Sequence, residues 1–264
     1  MNLLKRNLAP LTEEAWEEID DRAAEVLKAC LSARRVVHVN GPMGLDYTAV
    51  PEGRLVDISG NDGDVQSGIY KIQPLTEARI SFSLDLKELD NLQRGAKDID
   101  FEPLEEATRK MALFEDHAVY NGLENGPIKG VINSANSETL PFGNEGKSIM
   151  DAVFEGRIRL QNAFASKPYT LVVGEKALQL IDTELGAYPL KKRIEDLLGT
   201  SIVYSPTLEG AIMVPYNNED LEMTIGQDLA IGYVSHNNKT VDLFVTESFT
   251  FRALDPNIIV NYTL

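Results

Sequence analysis

From Pro103 to about Asn121, Leu104, Ala107, Met111, Phe114 and Ala118 follow one another at steps of three, four, three and four. This spacing lines up all five along one side of an α-helix, and the seam they make is the strongest helical signal in the chain. A helix with so regular an apolar stripe has to lay it against other elements, so the fold must be organised around it. Another helix opens at Thr12, a residue able to cap it. Glu13 and Glu14 follow in the first turn, where the helix dipole favours anions. Trp16, Ile19, Ala23, Val26, Leu27, Cys30 and Leu31 then recur at helical steps. Trp16 therefore reads as core, and Cys30 as a small buried hydrophobe rather than a nucleophile.

Strands are also legible. VVHV, Val36 to Val39, ends in the turn GPMG, and ARISFSLDL, Ala78 to Leu86, alternates Ile80, Phe82, Leu84 and Leu86 on one face. Between them, residues 48–75 form a polar arm broken by EG, SGNDGD and SG, with NDGD suited to a hairpin turn. Such an arm has little of its own to pack on. It is either a mobile surface hairpin or an arm that packs on a neighbouring subunit. Residues 131–219 then mix the two element types. SIMDAVFEGRIRLQNAFA, EKALQLIDTEL and KKRIEDLL read as helices, the last followed by Gly199, while PYTLVVG, SIVYS and AIMVPY read as strands. The β-rich remainder, MTIGQDLAIGYVSH, VDLFVTESFTFRAL and IIVNYTL, is expected to return to strands of the first half. The fold class expected is α+β.

No catalytic constellation stands out. Forty-one acids against 25 bases give a formal charge of −16, which argues against a nucleic-acid or anionic-membrane partner. Cys30 is the only cysteine, so an intrachain disulfide and a thiolate metal site are excluded, and a reducing, cytoplasmic setting is expected. His38, His117 and His236 are not at metal-binding spacing, and no metal site is expected. Glu115, Asp116 and His117 are adjacent on the seam helix and fan outward, so a solvated face is expected there. GxSxG, Walker and dinucleotide loops are absent. TIGQDLAIGYVSH, Thr224 to His236, carries two glycines but no phosphate cradle, since Asp228 would repel phosphate and the residues after it read as strand.

Three segments together resemble the encapsulins, the shell proteins of bacterial and archaeal nanocompartments. They are LLKRNLAPLTEEAWEEID near the N-terminus, LDLKELDNLQRG at 84–95, and GQDLAIGY with LFVTESFTF near the C-terminus. The resemblance is collinear from Met1 to Leu264. It implies the fold of tailed-phage major capsid proteins: a peripheral domain from 1–47, 76–130 and 220–264, an extended loop at 48–75, and an axial domain at 131–219. The helix 103–121 would be the spine. It also implies a non-enzymatic function, self-assembly into an icosahedral shell of which the smallest form needs sixty copies. The shell would enclose a cargo enzyme, a ferritin-like iron oxidase or a dye-decolourising peroxidase, bound through its C-terminal peptide. A prophage capsid protein of the same fold is the competing reading, and a hydrolase or bacteriocin the third.

The resemblance also places sites. Leu27, Cys30, Leu31 and Arg34 would form a continuous strip along the end of the first helix. Leu229, Ile231 and Tyr233 would face it from one strand, with Gly232 admitting a guest backbone. A peptide with apolar anchors and a basic residue would suit this groove, given nearby Asp228; the alternative is that these are ordinary core residues. Many members carry Asp where this chain has His38, which would alter the charge the peptide needs. In TELGAYPLKKR, Gly186, Ala187 and Tyr188 would ring a fivefold pore, or else the loop is a plain helix–helix connection. Some members hold a flavin through an aromatic side chain where this chain has Lys87, so no flavin or other cofactor is expected.

Overall fold

In the computed structural model, residues 3–57, 67–184 and 188–264 are described. Seven helices are present among them: α1 Glu13–Cys30, α2 Leu86–Gln93, α3 Glu102–Tyr120, α4 Val131–Ser134, α5 Gly146–Asn162, α6 Glu175–Thr183 and α7 Leu190–Leu198. The strands are β1 His38–Asn40, β2 Ala49–Asp57, β3 Gly68–Pro74, β4 Thr76–Asp85, β5 Leu140–Pro141 and β6 Tyr169–Val173. They continue with β7 Val203–Tyr204, β8 Ala211–Pro215, β9 Leu221–Ile225, β10 Ala230–His236, β11 Thr240–Ala253 and β12 Val260–Thr263. Thr12 caps α1 by accepting from Ala15 N at 3.3 Å.

The long strand β11 organises the first sheet. β4 pairs along one edge of it from Thr240 to Phe249. β10 and β9 lie end to end along the other edge, and β1 joins β9 in parallel. α1 and α3 cover one face of this sheet. Trp16, Ile19, Leu104, Met111, Phe82, Leu243 and Val245 share that core. The second sheet has the order β5-β12-β8-β6-β7 and packs with α5, α6 and α7 in another core. α3 serves both. Leu104, Ala107 and Met111 enter the first core, and Ala118, Val119 and Tyr120 the second.

Two expectations are corrected by the structure. Residues 220–264 do not all belong to the peripheral unit, because Val260–Thr263 crosses to the second sheet and pairs with β8 and β5. Tyr262 is held there edge-to-face on Phe142 at 5.6 Å, and a side chain at Gly156 would collide with its hydroxyl. The seam is also not quite the one read from spacing. Phe114 is 37% exposed, and Glu115, one step on, is fully buried.

The arm is an antiparallel pair, β2 with β3, running from Ala49↔Pro74 to Asp57↔Gly68. Its expected NDGD turn lies outside the described residues. Leu55, Val56, Ile69, Tyr70 and Ile72 are all more than half exposed along it. At its root, a Cβ on Gly226 would come within 2.6 Å of Ser248 Oγ, 2.8 Å of Leu75 and 3.0 Å of the Tyr47 carbonyl. Gly226 is thus the gap through which the arm's root meets the junction of β9 and β10.

Candidate functional site

α1 stops at Cys30 because Leu31 turns to extended backbone (φ −67°, ψ 121°). The chain then tightens into a 3₁₀ turn, Ala33–Arg35. Asp116 of α3 caps that turn. It is fully buried and accepts from Ser32 N at 3.0 Å, from Ala33 N at 2.8 Å and from the Ser32 hydroxyl. Burial pushes the Asp116 pKa up, and the Ser32 and Ala33 hydrogen bonds act against that rise. The expected strip is therefore broken: Arg34 does not continue the helical spacing of Leu27, Cys30 and Leu31.

The turn delivers Arg34 into a charge cluster. Its Nε donates to Glu115 at 2.9 Å, its Nη2 to Glu115 and Glu247 at 2.7 Å each, and its Nη1 to Asp228 at 2.8 Å. Glu115 and Glu247 are both fully buried, whereas the Asp228 side chain is 44% exposed. Burial alone would lower the Arg34 pKa. The Glu115 hydrogen bonds and the three carboxylate charges outweigh it, so the guanidinium is held charged. Glu247 is pushed well above the usual carboxylate range by burial and by the neighbouring Glu115 charge. Its Oε2 has no hydrogen-bond partner among the described residues.

The cluster sits where the two cores meet. On α3, Glu115 lies between Met111 of the first core and Ala118 of the second. On β11, Glu247 lies between Val245 and Phe249, again one from each. Reading by residue type misses both acids, since it assigns Glu115 and Asp116 to a solvated face and passes over Glu247. A signal is present nonetheless. Glu115 keeps the 4,3 spacing between Met111 and Ala118, and Glu247 interrupts the alternation Leu243, Val245, Phe249, Phe251. An acid on a buried stripe signals either a buried cation beside it or a pKa raised enough to neutralise it.

The Arg34–Asp228 pair ties the end of α1 to the corner between β9 and β10, next to half-buried Leu31 and Leu229. Leu27 is also half-buried and belongs to neither core. Cys30 is half-buried and faces elsewhere. With Val26 and Ala29 it floors a hollow of about 380 Å³ rimmed by Glu102, Glu105, Glu106 and Arg109 of α3. Ile231 is only 5% exposed and belongs to the first core, so it offers no surface to a guest. A Cβ on Gly232 would overlap the ring of Phe244, the residue opposite it on β11. The glycine thus makes room for the chain's own aromatic, which Arg79 covers at 4.0 Å, and not for an incoming backbone.

Tyr233 packs against the first core. Its N–H donates to the Leu4 carbonyl at 2.8 Å, and its hydroxyl is 2.6 Å from His236 Nδ1. His38 is not at this site. It pairs in register with Glu222, whose partner on β11 is Arg252, whereas Ile231 opposes Val245. Those β11 positions are roughly 23 Å apart at about 3.3 Å per residue. His38 instead bonds Asn217 Oδ1 at 3.2 Å. Of the pore residues, Gly186 and Ala187 lie outside the described residues, and half-exposed Tyr188 donates its hydroxyl to Asp196 at 2.7 Å. Among the described residues no group of three or more metal-ligating side chains converges. No helix among them is long and apolar enough to cross a membrane.

Residues 1–250 match the linocin M18 family model, described as "Encapsulating protein for peroxidase". A type 1 encapsulin shell protein of Mycobacterium tuberculosis is 33% identical over 252 residues, 95% of either chain. One from Rhodococcus erythropolis is 33% identical over 262 residues, 99% of either chain. Among solved structures, a virus-like particle from Pyrococcus furiosus aligns with a TM-score of 0.69 at 14% identity, covering 92% of this chain and 97% of that one. The capsid of an empty GTA particle aligns with a TM-score of 0.58 at 15% identity, covering 88% and 90%. The last two bear on fold alone, and that fold is the virus-like capsid fold implied by the sequence resemblance.

Proposed function

The chain belongs to the encapsulin shell protein family, and from that premise we propose that its copies close into an icosahedral shell of sixty subunits around an enzyme held by its C-terminal peptide. It is a structural protein, not an enzyme. The observation that carries the shell reading is the arm. Leu55, Val56, Ile69, Tyr70 and Ile72 are exposed on a two-stranded ribbon that none of the described residues covers. A two-stranded ribbon is marginal in water, and here the cross-strand pairs Leu55–Tyr70 and Val56–Ile69 expose apolar side chains on both of its faces, which calls for a neighbour. In a shell the neighbour is another copy.

The cargo peptide would dock beside the Arg34–Asp228 pair, with apolar anchors on Leu27, Leu31 and Leu229. Arg34 is already shared among three carboxylates, so it has little left to offer a ligand. The exposed side of Asp228 is the charge available, which favours a basic residue in the peptide. The family's description makes a peroxidase the first cargo to test, ahead of a ferritin-like iron oxidase. The loop Thr183–Arg193, with Gly186, Ala187 and Tyr188, would line the fivefold pore, and the compartment would work in the cytoplasm.

The test is electron microscopy of the protein purified from its native host, with mass spectrometry of the proteins that co-purify. Hollow particles of sixty subunits holding one stoichiometric enzyme are the expected result. A small oligomer, or particles filled with DNA, would refute the reading, the second in favour of a phage capsid.

A further inference from the structure

One cation serves three carboxylates beyond the end of α1. Arg34 reaches Glu115 and Glu247 at 2.7 Å each and Asp228 at 2.8 Å, and among the described residues no other Lys or Arg pairs with any of the three. With every group ionised, two negative charges would be left uncompensated. Glu115 and Glu247 are fully buried, where such a charge is costly.

A proton on Glu247 removes the first of the two. Its Oε2 is buried without a hydrogen-bond partner among the described residues, and burial and the adjoining Glu115 carboxylate both favour its protonated form. The charged groups facing Glu247 are Glu115 from α3, Arg34 from the 3₁₀ turn and Asp228 from the corner before β10. Ala78, opposite it on β4, is uncharged. The second surplus charge can be reached from outside. The Asp228 side chain is 44% exposed, and its negative charge helps to hold the proton on Glu247.

We propose that the proton on Glu247 and the basic residue of a docked peptide compete for this surplus charge, so that docking expels the proton. This rests on the reading of Asp228 as the peptide's charged partner. A cation bound at Asp228 cancels the charge that helped to hold the proton and relieves Arg34 of its third carboxylate. Glu247 then ionises against Arg34 and releases its proton to solvent. A docked state that binds fewer protons is favoured as pH rises, and the coupling is reciprocal. Affinity for the peptide therefore climbs with pH between the Glu247 midpoints of the docked and free forms, and is flat on either side.

Two measurements on the purified protein test this. Infrared spectroscopy follows the carbonyl stretch of the protonated Glu247 carboxyl, assigned by its loss in Glu247→Gln. Asp228→Asn mimics a neutralised Asp228, and should lower the midpoint of that band by about half a pH unit or more. An equal midpoint in Asp228→Asn, or no band lost in Glu247→Gln, would overturn the proposal. In the second measurement, a synthetic peptide copying the C-terminal segment of the co-purifying enzyme is titrated at several pH values across the wild-type midpoint. Wild-type affinity should rise about threefold, the factor that a half-unit difference produces, and Glu247→Gln should show no such rise. A rise retained in Glu247→Gln would place the titrating group elsewhere and overturn the proposal. A peptide that does not bind wild type at all, with the infrared shift intact, would refute the docking reading and the competition with it.

Discussion

Replacing Arg34 by methionine keeps an unbranched side chain in place and removes only the cation. Glu115 and Glu247, both fully buried, then lose the guanidinium that bonds each of them at 2.7 Å. Breaking a buried ion pair from one side costs about 3–5 kcal/mol. A second route gives a similar figure. Neutralising one ordinary glutamate at pH 7 costs about 3.7 kcal/mol, from ~1.36 kcal/mol for each of the ~2.7 units between pH and pKa. Glu247 is already held high by burial, so its share is smaller. Asp228 is nearly half exposed and adds little. A loss of about 4 kcal/mol corresponds to a fall of roughly 10 °C in melting temperature.

The assay is thermal unfolding followed by circular dichroism on full-length wild type and Arg34→Met at pH 7 and pH 5. Protonation is easier at pH 5, by about 2.7 kcal/mol per carboxylate over two pH units, so the variant's deficit should shrink by more than half. A deficit below about 1 kcal/mol, or one equal at both pH values, would show that Arg34 is not what makes these buried acids tolerable.

Three further outcomes are expected from the geometry. The Glu247 pKa is raised in the folded chain, so its stabilising contribution is complete below the ordinary carboxylate range and fades as pH rises past that range; Glu247→Gln should flatten that loss of stability with rising pH, and an unchanged pH profile by denaturant titration would contradict this. Gly232→Ala drives a methyl into the Phe244 ring and should cost about 1–3 kcal/mol, with Phe244→Leu restoring most of it; additive losses in the double variant would mean the two do not touch. Leu31→Asp or Leu229→Asp should leave shells intact and lower the cargo they retain, whereas Ile231→Asp, a charge placed in the first core, should prevent folding; intact empty shells from Ile231→Asp would put that residue on the surface after all.

The helices are legible in the sequence because their evidence is local. Thr12 caps α1 as its position suggests, the seam locates α3 to within a residue at each end, and Gly199 follows α7 in the left-handed conformation. The arm's two strands and its lack of a core of its own can also be read from its polarity and turn residues. Resemblance of motifs supplies the family, and family membership supplies the fold. Sequence does not settle which of two adjacent positions on a helix faces inward. Phe114 and Glu115 both keep seam spacing, and hydrophobicity favours the wrong one.

The tertiary structure decides that choice because the cation that makes Glu115 tolerable is 81 residues away, and Arg34 also reaches Glu247 across 213 residues. Gly232 presents the same difficulty. Its local signature suits a guest backbone as well as a host ring, and only the β10–β11 register puts Phe244 over it. His38 is four residues from Arg34 in the chain, yet β1 joins the far part of the sheet and takes it away from the groove. Periodicity reports what lies within a turn or two of a residue. Buried charge is balanced, and a glycine's empty side is filled, by whatever the fold brings from elsewhere in the chain.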